Sequence, residues 1–266
     1  LDLFCEYIGK RPFARVESIN FVPTAAGLAS SASAFAALAL AVADALKLDM
    51  TRQELSTFAR RGSGSSTRSL FGGFVEWDMG TSSEDSMAHP VDDADWDIGM
   101  LVLVVDSQEK KIASRIGMEH TVQTSPFYPA WIETAREDLQ AMKAAIAEKD
   151  FETLGRITEH NGFKMHATTL SANPPFTYWS ADSLLAQEAV RLVREELQVP
   201  AYMTMDAGPN VKILCRASDM GRLQKALSIH FPAENIISSL PGPAAYVLSE
   251  ADWQQSKMRL TEGNHI

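Results

Sequence analysis

The chain has 266 residues, 45% hydrophobic and 22% charged, ordinary proportions for one large or two modest globular domains with a sizeable core. No uninterrupted apolar run approaches the ~20 residues of a membrane span, so no membrane partner is expected. Lys and Arg number 24 against 34 Asp and Glu, a net charge of −10, and the basic residues are scattered singly, which argues against nucleic acid as the main partner. Cys5 and Cys215 are the only thiols, too few for a disulfide framework and not spaced for zinc, so a reducing, cytoplasmic compartment is expected. The start, Leu-Asp-Leu-Phe-Cys-Glu, lacks an initiator Met, a basic n-region and a cleavage site; it reads as a truncated end and not as a signal peptide.

Residues 12–22 alternate apolar and polar in their middle part and predict a strand, stopped by Pro23-Thr24-Ala25-Ala26-Gly27. Leu28 to Leu46 is almost all Ala, Leu, Ser, Val and Phe, a helix expected to be buried on most faces. Thr51 and Glu54 form a capping box for a helix running to about Arg61. Phe74–Trp77 and Gly99–Asp106 read as strands, the second a continuous apolar run suited to burial on both faces. Between them, Glu84–Asp97 holds six acidic residues and no basic one, and reads as a solvated loop. Amphipathic patterns then predict helices over about 127–148, 150–170 and 180–197. Short strands at 201–205 and 210–216 flank the turn 206–209, a helix covers 218–230, and terminal strands cover 234–240 and 244–248. The irregular order favours an α+β fold, with domains at 1–112 and 113–266 and the boundary near Ser107–Ile116.

Four stretches carry candidate chemistry. Pro23 to Ser33 lies between a strand and a helix start, where small residues let backbone N–H groups approach a phosphate and Ser30 and Ser31 add hydroxyls for phosphate or Mg²⁺. The competing reading is an Ala-rich packing helix with a Ser cap, and no Gly-Lys-Ser/Thr makes it a Walker loop. Arg60 to Ser69 sets a Gly-Ser run among three arginines, which is either a flexible linker or an anion-binding element in which Arg68 grips a carboxylate or phosphate at two points. Asp206, just before Ala207-Gly208-Pro209, is either a turn residue or a carboxylate presented at a strand end to a hydroxyl that must lose its proton. Ser114 and Arg115 are a smaller anion-binding candidate. The histidines organise into nothing: His160 and His166, six apart, read as satisfied surface or core residues, and no metal ligand is assigned.

Together these stretches resemble the mevalonate diphosphate decarboxylase family of the GHMP kinase superfamily. The matching motifs are Phe21-Val22-Pro23-Thr24-Ala25-Ala26-Gly27-Leu28-Ala29-Ser30-Ser31-Ala32-Ser33, Gly62 to Leu70 with Gly72-Gly73-Phe74-Val75-Glu76-Trp77, Ala172 to Tyr178, and Met205 to Asn210, in the family's order across nearly the whole chain. The resemblance implies a GHMP-type fold with an S5-like first domain, a helix-rich ferredoxin-like second domain and an active site in the cleft between them. It also implies ATP-dependent decarboxylation of mevalonate 5-diphosphate to isopentenyl diphosphate, with ATP and Mg²⁺ as cofactors and a homodimeric state. On it, Asp206 orients or deprotonates the substrate hydroxyl and Arg68 holds its carboxylate. Ser63, Gly64, Ser65, Ser66, Thr67, Arg68, Ser114 and Arg115 contact substrate, and Ala26, Gly27, Leu28, Ala29, Ser30, Ser31 and Ser33 hold ATP.

The chain departs from the family at two places. Ser66-Thr67 stands where the family usually has Ala-Cys. The family also carries roughly 70 residues ahead of the helix matching Leu1–Gly9, including a Tyr-Trp-Gly-Lys motif, and nothing in this chain matches that motif. Alternatives are therefore a mevalonate 5-phosphate decarboxylase, a mevalonate-type GHMP kinase, or a noncatalytic scaffold relative lacking the lysine segment.

Overall fold

The computed structural model describes residues 1–21, 30–106 and 112–261, with Leu260 and Thr261 described by backbone only. The chain forms two compact units, one of Leu1–Asp93 with the segment from Gly242 onward, the other Ala94–Pro241.

In the first unit, α1 (Asp2–Ile8) precedes α2 (Ser30–Ala45) and α3 (Arg52–Gly62), and a 3₁₀ helix follows at Gly64–Leu70. The predicted capping box starts α3: Glu54 N–H donates to Thr51 Oγ1 at 3.2 Å, and Thr51 N–H donates to Glu54 Oε2 at 2.7 Å. Helix α2 buries only the stripe Ala32, Ala36, Ala39 and Ala43. This corrects the expectation of burial on most faces: alanines spaced by three and four share the one face that is fully buried, while Leu40 and Val42 beside it are only partly covered. Leu55, Ala59 and Leu70 complete its core with Phe4, whose ring stacks on Phe58 at 4.7 Å. At the crossing of α2 and α3, a Cβ on Gly62 would lie 2.2 Å from the Phe35 ring, so glycine is what lets the two come so close.

A hairpin closes this unit, β1 (Phe74–Trp77) pairing antiparallel with β2 (Ala88–Asp92). Strand β2 lies inside the acidic stretch read as a loop; Ala88 is fully buried and its N–H donates to Ser56 Oγ at 2.9 Å. The acid count hid a strand whose pairing supplies what its composition does not. Residues 12–21, expected as a strand, pair with no strand among the described residues, and Phe13 and Val16 are exposed. The predicted strand at 244–248 is likewise unpaired, and α9 (Glu250–Thr261) follows it instead.

The second unit centres on a four-stranded antiparallel sheet. Its order is β4 (Ala201–Thr204), β5 (Val211–Cys215), β3 (Gly99–Leu103), β6 (Ile236–Ser239). Strand β3 is central, with Leu101 and Leu103 fully buried as its continuous apolar run predicts. Because β3 pairs with both β5 and β6, the chain changes unit at Asp93/Ala94, ahead of the boundary read near Ser107–Ile116, and Gly242 onward returns to the first unit. Strand pairing decides which unit a segment belongs to.

Around the sheet run α4 (Ser114–Thr124), α5 (Tyr128–Ala147), α6 (Phe151–Leu170), α7 (Ala181–Leu197) and α8 (Met220–Leu227). Ala186, Ala189, Val190 and Val193 of α7 pack into the core with Met203, Ile213 and Leu223. Each fully buried Val, Leu, Ile or Met here contributes about 1.5–3 kcal/mol. Gly155 of α6 faces Tyr202 of β4, where a Cβ would lie 1.9 Å from the ring. Helix α4 is not predicted by the sequence pattern, and only its first three residues fall within the stretch Ser107–Ile116 read as the domain boundary.

Candidate functional site

In the first unit, the Gly-Ser run is not a flexible linker but the 3₁₀ helix, held by its own hydroxyls. Ser66 Oγ donates to Ala59 O at 2.7 Å and is close to Ser63 O as well, and Thr67 Oγ1 donates to Gly64 O. Both side chains are fully buried, so they shape the turn and offer no hydroxyl to a bound molecule. Ser63 and Ser65 remain at the surface of the turn: their Oγ atoms lie 3.2 Å apart, and Ser63 Oγ is 3.1 Å from Ser31 Oγ on α2. Arg68 sits exposed in the same turn. Arg52 donates to Leu70 O and anchors the turn's far end to α3.

Ser30, Ser31 and Ser33 occupy the first turn of α2, which contains no acidic residue. Ser33 Oγ donates to Ser30 O at 3.1 Å. A helix start of this kind presents the positive end of the macrodipole, with no carboxylate in its first turn to repel an anion. Ala26, Gly27, Leu28 and Ala29 lie outside the described residues.

In the second unit, Ser114 and Arg115 open α4, whose first turn is also free of acidic residues and has no side-chain cap. The Ala172–Tyr178 motif braces this helix. His120 Nε2 meets Pro174 O at 2.8 Å, and Asn173 N–H donates to Thr124 Oγ1 at 3.0 Å. A Cβ on Gly117 would lie 2.2 Å from the Tyr178 hydroxyl. Burial pushes the Tyr178 hydroxyl above its ordinary pKa.

The Met205–Asn210 turn is fixed from three directions. Buried Asn210 accepts through Oδ1 from Val105 N–H at 2.8 Å and Asp106 N–H at 3.1 Å, and its Nδ2 donates to Asp106 O at 3.1 Å. Ser183 Oγ on α7 donates to Pro209 O at 2.7 Å. His166 Nε2 on α6 donates to Met205 O at 3.2 Å. Within the turn, Gly208 N–H donates to Asp206 O at 2.8 Å. The Asp206 side chain is 62% exposed and its Oδ2 meets Lys212 Nζ at 3.0 Å. The result is a carboxylate on a stiff turn, open to solvent on one side and steered by a cation on the other.

Two members of this site escaped the sequence. Lys212 is the one cation within β5, and its period-two position could have flagged it beside the turn. His166 was read as a satisfied histidine. It is buried, its Nδ1 has no partner among the described residues, and burial lowers its pKa below 6.5. Cys215 is buried and its thiol is pushed up to about 12 by burial, which keeps it protonated and inert. No helix among the described residues is long and apolar enough to cross a membrane.

Comparison with known proteins gives these turns a context. Residues 1–88 match the family model of the diphosphomevalonate decarboxylase-like N-terminal domain, and residues 100–262 that of the mevalonate 5-diphosphate decarboxylase C-terminal domain. The chain is 39% identical over 221 residues to the diphosphomevalonate decarboxylase of Candida albicans, a match covering 81% of this chain and 61% of that protein. It is similar to the structure of the mevalonate diphosphate decarboxylase from Enterococcus faecalis, with a TM-score of 0.85 and 47% identity over 91% of this chain and 74% of that one. A structure described as MDDEF in complex with MVAPP, AMPPCP and magnesium gives a TM-score of 0.86 and 48% identity over 91% and 75%. The fold is thus α+β of the GHMP kinase type, as expected. The chain spans less than two thirds of the length of the curated relatives it matches, 61%, 58% and 57% for three of them.

Proposed function

Because this chain belongs to the mevalonate 5-diphosphate decarboxylase family, we propose that it carries out ATP-dependent decarboxylation of mevalonate 5-diphosphate to isopentenyl diphosphate, releasing ADP, phosphate and carbon dioxide. The observation that carries this reading is the pair of built turns: an exposed carboxylate held by Asn210, Ser183 and His166, and an exposed guanidinium in a turn held by Ser66 and Thr67. The complex with MVAPP, AMPPCP and magnesium supports the same substrate and cofactors.

The chemistry suits these groups. A tertiary hydroxyl leaves poorly, so it is phosphorylated first. Loss of that phosphate makes the carbon beta to the carboxylate electron-poor, and the carbon–carboxylate bond then breaks, its electron pair forming the new double bond. Asp206 accepts the hydroxyl proton, with Lys212 setting the carboxylate's direction. Arg68 grips the substrate carboxylate through two parallel N–H donors and fixes it against the breaking bond. Ser63, Gly64 and Ser65 contact the substrate beside it, Ser114 and Arg115 at the start of α4 hold its diphosphate, and Ser66 and Thr67 act by shaping their turn.

The start of α2 fits a nucleotide phosphate, having the positive end of the helix dipole, the Ser31 hydroxyl and no acid in its first turn. Ala26, Gly27, Leu28, Ala29, Ser30, Ser31 and Ser33 would hold ATP there; bound ATP with Mg²⁺ supplies the phosphoryl group and neutralises its charge. The same reading makes the protein a cytoplasmic homodimer, the two free cysteines supporting a reducing compartment.

The test is turnover of mevalonate 5-diphosphate and ATP, read as carbon dioxide, phosphate and ADP. Asp206→Asn is expected to lower turnover by about 10²–10⁴ with nucleotide binding retained. Arg68→Lys keeps the charge but loses the planar grip, so decarboxylation should fall far more than nucleotide affinity. ADP release without carbon dioxide would overturn the decarboxylase in favour of a kinase. Near-normal turnover in Asp206→Asn would return Asp206 to a turn residue.

A further inference from the structure

The hairpin of the first unit holds a group of side chains that the decarboxylation reading does not use. Glu76 of β1 faces His89 of β2 as a direct Cα partner across the antiparallel pair. Asp78, two residues beyond Glu76, shares its face because successive side chains alternate, and its N–H extends the ladder to Met87 O at 2.9 Å. Trp77 and Ala88 are partners on the opposite face. There Ala88 is fully buried and Trp77 lies against Gly64 of the 3₁₀ helix. Strand register alone therefore collects an imidazole and two carboxylates on one side of the ribbon.

The side chains meet as the register requires. His89 Nε2 lies 3.4 Å from Glu76 Oε2, and His89 Nδ1 lies 3.4 Å from Asp78 Oδ2. One ligand atom from each of the three residues can be chosen so that all lie within 4.8 Å of one another. None is a freely solvated surface group: all three are partly buried, and the Glu76 side chain is only 9% exposed.

We propose that Glu76, Asp78 and His89 form a binding site for a divalent transition-metal ion of the Zn²⁺ type. Ligands at ~2.1 Å around a tetrahedral ion stand ~3.4 Å apart along each edge, the separation already present between imidazole and carboxylate. Imidazole with two carboxylates is a borderline nitrogen and oxygen donor set that suits Zn²⁺ and Co²⁺, whereas Mg²⁺ prefers oxygen ligands and retains its waters. The ion binds His89 Nε2 beside Glu76, Asp78 turns in as third ligand, and water fills the fourth position. Bound there, it ties β1 to β2 next to the turn that carries Arg68. This site is independent of the decarboxylase reading, because neither the substrate nor the nucleotide contributes a ligand.

The experiment is titration of the purified chain with Co²⁺ followed by visible absorption, and with Zn²⁺ by calorimetry in the presence of excess Mg²⁺. Ligand-field bands of tetrahedral Co²⁺, displaced by Zn²⁺ and unaffected by Mg²⁺, are the expected result. His89→Gln and Asp78→Asn should each weaken Zn²⁺ binding by at least about tenfold, while His230→Gln, at an exposed histidine elsewhere, leaves it unchanged. Circular dichroism of each variant checks folding; Asp78 is the more exposed ligand, so Asp78→Asn decides the matter if His89→Gln does not fold. Absence of the bands, or Zn²⁺ binding equally to the chain and to the folded ligand variants, would falsify the site.

Discussion

The two units hold their key turns by different means. In the first, the buried hydroxyls of the Ser63–Arg68 turn bond within three to seven residues of sequence, from Ser66 and Thr67 to Ser63, Gly64 and Ala59, while Arg52 ties in Leu70 O from 18 residues away and Ser31 meets Ser63 from 32. In the second, the Met205–Asn210 turn hangs on bonds spanning 26 residues to Ser183, 39 to His166 and about a hundred to Val105 and Asp106. The first turn draws most of its hydrogen bonds from its own segment, whereas the second, bonded at long range, takes its form with the sheet and both helices. Arg68 is thus carried by local geometry and Asp206 by the whole core of its unit.

This difference can be broken most sharply at Asn210. Asn210→Ala removes three hydrogen bonds to Val105 and Asp106, just past β3, and leaves their partly buried N–H groups without that acceptor. A loss of about 2–4 kcal/mol is expected, since unsatisfied buried groups cost about 1–3 kcal/mol each. Urea unfolding checks it, and a loss under half of that would mean the turn depends little on these tertiary contacts.

Ser66→Ala is the matching change in the first unit. Ala59 O and Ser63 O keep backbone donors, from Ser63 N–H at 3.3 Å and Ser66 N–H at 3.0 Å, so no buried acceptor is orphaned. The expected loss is about 1 kcal/mol, read from the same unfolding curves. A cost equal to that of Asn210→Ala would erase the distinction between the turns.

The smallest effect sharpens the second unit alone. Burial lowers the folded-state pKa of His166 below its unfolded value of 6.5. The unfolded chain therefore binds the proton more readily, and the stability from keeping His166 neutral is present above pH 6.5 and lost as pH falls towards the lowered value. Stability measured from about pH 7 to about pH 5 should fall less steeply in His166→Gln than in the parent chain. Identical slopes would remove His166 from the acid response.

Sequence and structure divide along the same line of local against distant bonding. The Thr51–Glu54 capping box, the Gly208-to-Asp206 bond inside the 206–209 turn and the apolar run of β3 were legible because each is specified by neighbours within a few residues, whereas the bonds that hold that turn in place are not. So were the motifs that name the family. Tertiary structure alone decided that the acidic stretch contains β2, that residues 12–21 pair with no described strand, and that α2 buries one face. It alone joined Glu76 to His89, and Lys212 and His166 to the Asp206 turn. A strand is defined by its partner and a buried face by what covers it, and neither is written in the segment itself; helix caps and tight turns close their hydrogen bonds within the segment and so can be read from it.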